Sequence, residues 1–252
     1  MNESSASGDY EVVAETLSET AKALIERASV EPGMELLDVS TGTGNVALPA
    51  AQDAGARVTA LDALPELLDI ARERSADLGL EIDWVEGDPQ ELPFADDSFD
   101  RVLSAFGVMF APDHRRAAKE LLRVCRPGGA IGLCSWTAEG TGGRVLQAVA
   151  SRVGTPPQPA VLWSSEDHLR ELMGGSEIQV ERRSLELREE SPEAWTAFME
   201  ESFGPFVSAR ATLGERWSEL RQELVRIYAK ANESQNGKLA IHQEYLLAVV
   251  RL

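Results

Sequence analysis

The chain has 252 residues and carries 42 aspartates and glutamates against 24 lysines and arginines, a formal charge of −18. Gripping nucleic acid takes a cationic surface that displaces counterions from phosphates, and an anionic bilayer repels a polyanion for the same reason, so neither is an expected partner. With 43% hydrophobic and 26% charged residues the composition is that of a folded protein, and no run nears the ~20 apolar residues of a membrane span.

Residues 1–8 are small and polar, without the basic and apolar regions of a secretory signal, and a cytoplasmic location is expected. Over 10–29, Val13, Leu17, Ala21, Leu24, Ile25 and Ala28 recur at helical spacing until Glu31-Pro32-Gly33 ends the pattern. Short apolar runs then alternate with amphipathic stretches, which predicts parallel strands joined by crossover helices. Strands are expected at 34–39, 57–61, 81–86, 99–104 and 130–136, with helices at 45–54, 64–78 and 113–125 and a turn at Arg126-Pro127-Gly128-Gly129. Beyond them come helices at 140–153 and 164–173, joined by the proline-rich 154–159, and then a strand at 178–187. A helical stretch over 191–232 opens with Ser191 as cap and Pro192 in the first turn, and a last apolar strand runs over 246–252. Cys125 and Cys134 lack metal-site spacing and are expected to be reduced and buried; the scattered His114, His168 and His242 form no metal motif, so no metal is expected.

The segment Leu36-Leu37-Asp38-Val39-Ser40-Thr41-Gly42-Thr43-Gly44-Asn45 runs from a strand through a turn of small residues into a helix. Such a turn exposes main-chain N–H groups and lets a ligand approach the backbone closely. Gly42 to Ala47 can be fitted to the dinucleotide fingerprint of an NAD-linked oxidoreductase. Asp38 at the strand end speaks against that ligand, because a carboxylate repels a pyrophosphate and suits an ammonium group.

In this loop the chain resembles the class I S-adenosylmethionine-dependent methyltransferases, small-molecule branch, whose first motif is an acid followed by small residues and glycines, here Asp38-Val39-Ser40-Thr41-Gly42-Thr43-Gly44. Ser40 stands where the family most often has glycine, and a small side chain fits there with a negative φ. Ala60-Leu61-Asp62-Ala63-Leu64-Pro65-Glu66-Leu67-Leu68 resembles the second motif, whose acid takes both ribose hydroxyls. Gly87-Asp88-Pro89-Gln90-Glu91-Leu92-Pro93-Phe94 resembles the third, whose aspartate accepts from the adenine amino group. Pro89 lacks the N–H that members offer to the ring, and Gln90 is the expected substitute. Asp97-Ser98-Phe99-Asp100 and the run from Leu122 to Gly129 match the entry to the fourth strand and the turn into the fifth, so the ordered motifs cover roughly 34–137.

The resemblance implies a Rossmann-like α/β fold, a seven-stranded mostly parallel sheet with helices on both faces and a helical cap at about 189–236 before the last strand. It divides the chain into an N-terminal helix over the cofactor site (1–30), a cofactor-binding core (31–140), a variable helical segment (141–176) and the last two strands with the cap (177–252). S-adenosylmethionine is the implied cofactor, held by Asp38, Ser40, Thr41, Gly42, Gly44, Asn45, Asp62, Ala63, Asp88, Pro89, Gln90, Ser104 and Phe106.

Methyl transfer from a sulfonium is an in-line displacement helped by orientation and exclusion of water, and a base is needed only for a hydroxyl or carbon acid. Candidate bases are His168 and His242, together with His114, which reads as a surface residue at a helix start. Tyr10 resembles an aromatic that closes over the cofactor in related enzymes, and Phe106, Met109 and Phe110 are candidate walls. Trp195, Phe198, Met199 and Phe203 at helical spacing read as core, while their place between the last two strands predicts a lid over a small apolar acceptor of natural-product, quinone-like or lipid-like kind. The alternatives are a cofactor-bound protein catalysing a non-methylating reaction such as a cyclisation, and an NAD-linked oxidoreductase. Eight acids and no base fall over 81–100, which would favour a cationic cofactor over its uncharged product.

Overall fold

In a computed structural model, which describes residues 17–154, 159–234 and 238–252, strands and helices alternate from the start. Helix α1 (17–27) leads to β1 (Glu35–Val39), α2 (Ala47–Gln52), β2 (Arg57–Asp62), α3 (Pro65–Asp77) and β3 (Asp83–Glu86). There follow β4 (Phe99–Ala105), α4 (His114–Val124), β5 (Cys125–Trp136), α5 (Thr141–Val153) and α6 (Glu166–Leu172). The chain ends with β6 (Glu177–Glu189), α7 (Pro192–Ser202), α8 (Gly204–Leu213), α9 (Trp217–Ala231) and β7 (Leu239–Arg251).

The strands form one sheet in the order β3-β2-β1-β4-β5-β7-β6, with β7 antiparallel to both its neighbours and β1 to β5 parallel. Leu36 and Leu37 are both wholly buried, on opposite faces of β1, as a strand sandwiched between helix layers requires. One face packs on α1 and α2 through Ala21, Leu24, Ala47 and Ala50. The other packs on α4 through Ala117, Leu121 and Val124, and on α6 through Leu169 and Leu172. Asp113 caps α4 by accepting from the Arg116 N–H at 3.0 Å. Both cysteines are buried thiols.

Three features differ from the sequence reading. The stretch over 191–232 is three helices, broken at Phe203, which turns extended ahead of Gly204-Pro205, and at Gly214, whose φ is +54°. Strand β5 starts at Cys125: Phe99 pairs with Cys125 and Arg101 with Ala130, so the expected turn over 126–129 is a bulge. Strand β7 starts at Leu239 and pairs with β6 all the way to Glu189, although it meets β5 only from Tyr245 onward. A two-stranded ribbon therefore rises past the end of the sheet and carries α7, α8 and α9 between its strands. Trp195, Phe206, Trp217, Leu220, Leu224 and Tyr228 pack together there with Leu187 and Ile241 of the ribbon and Val145 and Val149 of α5. Of the four residues read as core from their spacing, Trp195 is buried, whereas Phe198, Met199 and Phe203 are partly buried at the edge of this cluster.

Candidate active site

The ends of β1, β2 and β4 converge with the loops that follow them. Asp38 is 1% exposed, and its Oδ2 accepts from Thr41 Oγ1 at 2.5 Å and from the Ala47 N–H at 3.0 Å. Its Oδ1 is buried with no partner among the described residues. Burial pushes its pKa up to about 7, against the lowering effect of the Thr41 and Ala47 bonds; the nearby Asp62 charge adds to the rise. Asp38 lines a small cavity together with Leu17 and Ala21 of α1, Ser40, Asn45 and Phe106.

Asp62, at the end of β2, ties the loops together, its Oδ2 accepting from the Gly42 N–H at 2.8 Å and its Oδ1 from the Leu64 N–H at 3.0 Å. Each oxygen keeps a lone pair for a further donor. The Gly87 N–H in turn donates to the Asp62 carbonyl at 2.9 Å. Asp88 is exposed, and its Oδ1 accepts from the Gln90 main-chain N–H at 2.8 Å and from Gln90 Nε2 at 3.0 Å. Gln90 Oε1 accepts from the Asp113 N–H at 3.0 Å. The N–H groups of Gln90 are thus turned onto Asp88, and serving as a substitute donor to a ring would require them to let go.

Ser40 has φ +56°, where a negative value was expected. The turn demands the left-handed conformation that glycine adopts freely, which is the physical reason for glycine at this place in the motif. The residue facing it, Gly107, allows no side chain: a Cβ there would lie 2.4 Å from Ser40 Cβ and 2.5 Å from the Ser40 carbonyl oxygen. Ser104 is fully buried, donates to the Val39 carbonyl at 2.7 Å and accepts from the Val108 N–H at 3.0 Å, so its hydroxyl braces the two strand ends. Phe106, also left-handed at φ +60°, stacks on Trp136 with centroids 3.9 Å apart and meets Tyr245 edge-on at 5.6 Å.

One group invisible in the sequence is Arg74 of α3. Its Nη1 donates to the Thr43 carbonyl at 2.6 Å, to Thr43 Oγ1 at 3.1 Å and to Asn45 Oδ1 at 3.2 Å, so a neighbouring helix holds the glycine turn from behind. Only its place in the last turn of α3 could have drawn attention to it.

The histidines do not converge here. His114 is wholly buried, contrary to the surface position expected: its ring lies 5.3 Å from Trp163, and its Nδ1 is 3.0 Å from His168 Nε2. Burial, and then His168, lower the His114 pKa to about 4; burial lowers that of His168 as well. His242 is exposed on the ribbon beside Glu233. Tyr10 lies outside the described residues. The acids over 81–100 are partly neutralised by arginines from α4 and β5: Glu91 pairs with Arg116 at 2.7 Å, Asp96 with Arg123 at 2.9 Å and Asp100 with Arg126 at 2.8 Å.

Residues 37–133 match the family described as a methyltransferase domain. An uncharacterised protein of Mycobacterium tuberculosis is 40% identical over 233 residues, 88% of this chain and 85% of that protein. A demethylmenaquinone methyltransferase of Renibacterium salmoninarum is 33% identical over 163 residues, 58% of this chain and 67% of that one. Among solved structures, the YcgJ protein of Bacillus subtilis shares the fold with a TM-score of 0.66 at 19% identity, over 92% of this chain and 97% of that one.

Proposed function

The chain belongs to the class I S-adenosylmethionine-dependent methyltransferases, and on that premise we propose that it moves the methyl group of S-adenosylmethionine to a small, apolar acceptor. The observation that carries this is Asp38. Its unpartnered, buried Oδ1 is costly in the free protein and asks for a donor, and an ammonium group supplies both the hydrogen bond and the opposite charge. A pyrophosphate would meet Asp38 and Asp62 as two like charges.

In this reading Ser40, Thr41, Gly42, Gly44 and Asn45 present the turn to the amino-acid end of the cofactor. Asp62 takes the ribose hydroxyls on its free lone pairs, Ala63 lies beside them, and Asp88, Pro89 and Gln90 border the adenine. The cofactor supplies an electrophilic methyl on a cationic sulfur. The protein's part is to orient the acceptor and keep water out, with Phe106 and the cap as the apolar surroundings. His114 is committed to His168, so the site favours acceptors that need no strong base, or whose proton leaves to solvent.

Isothermal titration should show binding of both S-adenosylmethionine and S-adenosylhomocysteine, and mass spectrometry of extracts incubated with protein and cofactor should show a product heavier by one CH₂. Failure of both nucleosides to bind at millimolar concentration would sink the proposal. Binding with a product of unchanged mass would instead mark a non-methylating reaction.

A further inference from the structure

Where α5, the 3-10 turn Ala160–Ser164 and α8 meet they leave a groove of about 340 Å³, within the ~300–1,000 Å³ usual for small-molecule pockets. Phe110 forms part of its wall and is 40% exposed, in a T-shaped pair with Phe203 at a centroid distance of 6.1 Å. That residue stands only three positions beyond Gly107, whose backbone abuts Ser40 of the first loop. The short segment after β4 thus serves both places, Phe106 lining the cavity at Asp38 and Phe110 the groove between α5 and α8.

Its chemistry is one-sided. In a chain of formal charge −18, no charged side chain lines it among the described residues. Three of its polar side chains are turned back on the main chain: Gln147 Nε2 donates to the Ala138 carbonyl at 3.0 Å, Ser151 to Ala148 at 2.8 Å and Thr212 to Ser208 at 2.8 Å. An ion placed there would lose water and find no counter-charge. A flat hydrocarbon body would be covered by Leu146, Val149, Val161 and Ala209 and would shield the Phe110 ring.

We propose that this groove is the acceptor site, and that the acceptor is an uncharged, ring-bearing molecule of about two fused rings, entering between α5 and α8 with its reacting end toward Phe110. This rests on the methyltransferase reading and adds the entry route and the required neutrality.

The test uses 2-naphthol, a neutral fluorescent probe, and its anionic relative naphthalene-2-sulfonate, titrated into the whole protein with and without S-adenosylhomocysteine. Naphthol should bind saturably and the sulfonate at least tenfold more weakly. Bound S-adenosylhomocysteine should change the naphthol affinity at least threefold, because Phe106 and Phe110 stand on one short segment that borders both ligands in this proposal. Ser208→Trp, at an exposed position of α8 lining the groove, should weaken naphthol at least tenfold. Ala211→Trp, on the same helix outside the groove, should leave it within twofold, and neither variant should alter S-adenosylhomocysteine binding. Unchanged naphthol affinity in Ser208→Trp, or indifference to the nucleoside, overturns the inference while the methyltransferase reading stands. Absence of nucleoside binding in the wild-type protein removes that reading itself.

Discussion

Gly107 lies so close to Ser40 that a methyl group on it would come within 2.5 Å of the Ser40 carbonyl oxygen. The first and fourth strands therefore end in loops pressed backbone to side chain, and Ser40 is held left-handed between them. Gly107→Ala must push main chain apart and should cost ~3 kcal/mol or more, together with cofactor binding. Ser40→Gly relieves a strain of about 1 kcal/mol, which raises the melting temperature by ~2–4 °C in a chain of this size. Differential scanning calorimetry of both variants checks the pair, and a loss of stability in Ser40→Gly would show that the turn is not strained.

Arg74 gives a test of turn geometry separate from contact with the cofactor. Arg74→Met removes the Arg74 donation to three oxygens of the turn and should weaken S-adenosylhomocysteine about tenfold, ~1.4 kcal/mol. Arg74→Lys should recover part of the loss, because an ammonium reaches one of the acceptors but not all. Calorimetric titration beside melting curves separates the outcomes: a large fall in melting temperature with unchanged affinity would make Arg74 a general structural residue.

Asp38 and His114 pull pH dependence in opposite directions. The unfolded Asp38 loses its proton near 3.8 and the folded one near 7, so its contribution favours the fold at low pH and is lost as pH rises toward 7. His114 titrates near 6.5 unfolded and near 4 folded, so its contribution is complete above 6.5 and lost as pH falls toward 4. Between about pH 4 and 6.5 the two slopes oppose each other, and stability should be nearly flat. Asp38→Asn should expose a curve that rises with pH and stabilise the free protein above pH 7 by up to ~4 kcal/mol, at the expense of cofactor affinity. His114→Phe should expose the falling curve. Chemical denaturation of the three proteins from pH 4 to 8 decides the matter, and parallel curves would refute both assignments.

Cofactor binding should release a proton below pH 7, since an ammonium beside Asp38 favours its ionised form. Titrations of S-adenosylmethionine at pH 6.5 in buffers of different ionisation enthalpy read that proton directly. Salt adds a second handle. The arginine partners of Glu91, Asp96 and Asp100 reduce the local acidity without abolishing it. Raising salt from 0.05 to 0.5 M should weaken S-adenosylmethionine about threefold more than its uncharged-sulfur product. Equal salt dependence would mean that the acids beside the site do not act on the sulfonium.

The sequence made the parallel half of the fold legible because its signals are local. Paired apolar residues such as Leu36 and Leu37 mark a doubly covered strand, and Asp38 and Asp62 each follow an apolar pair near a strand end. Relations across long separations left no such trace. Arg74 meets Thr43 over 31 positions and His114 meets His168 over 54, with no periodicity linking either pair. The early part of β7 was missed because His242 and Glu244 alternate with buried residues, as on a ribbon exposed on one side. The break at Phe203 did have a signal, Gly204-Pro205, outweighed by the continuous helical spacing around it. The negative φ expected at Ser40 failed because Ser40 is packed against Gly107, in the loop after β4, a contact that no local pattern signals.

The residues that bound the cap, Glu189 and Leu239, are direct cross-strand partners. The path through α7, α8 and α9 thus leaves and re-enters the fold across the width of one strand pair, about 5 Å. An excursion whose ends are already joined can be lengthened, shortened or exchanged without moving any other strand. A two-residue Asn-Gly turn could close the same ribbon as a plain hairpin. The lobe's main tie to the rest of the fold beyond that ribbon is α5, whose Val145 and Val149 share its core, so a change of lobe asks for matching changes chiefly on a single helix and leaves the sheet that carries the glycine turn as it is.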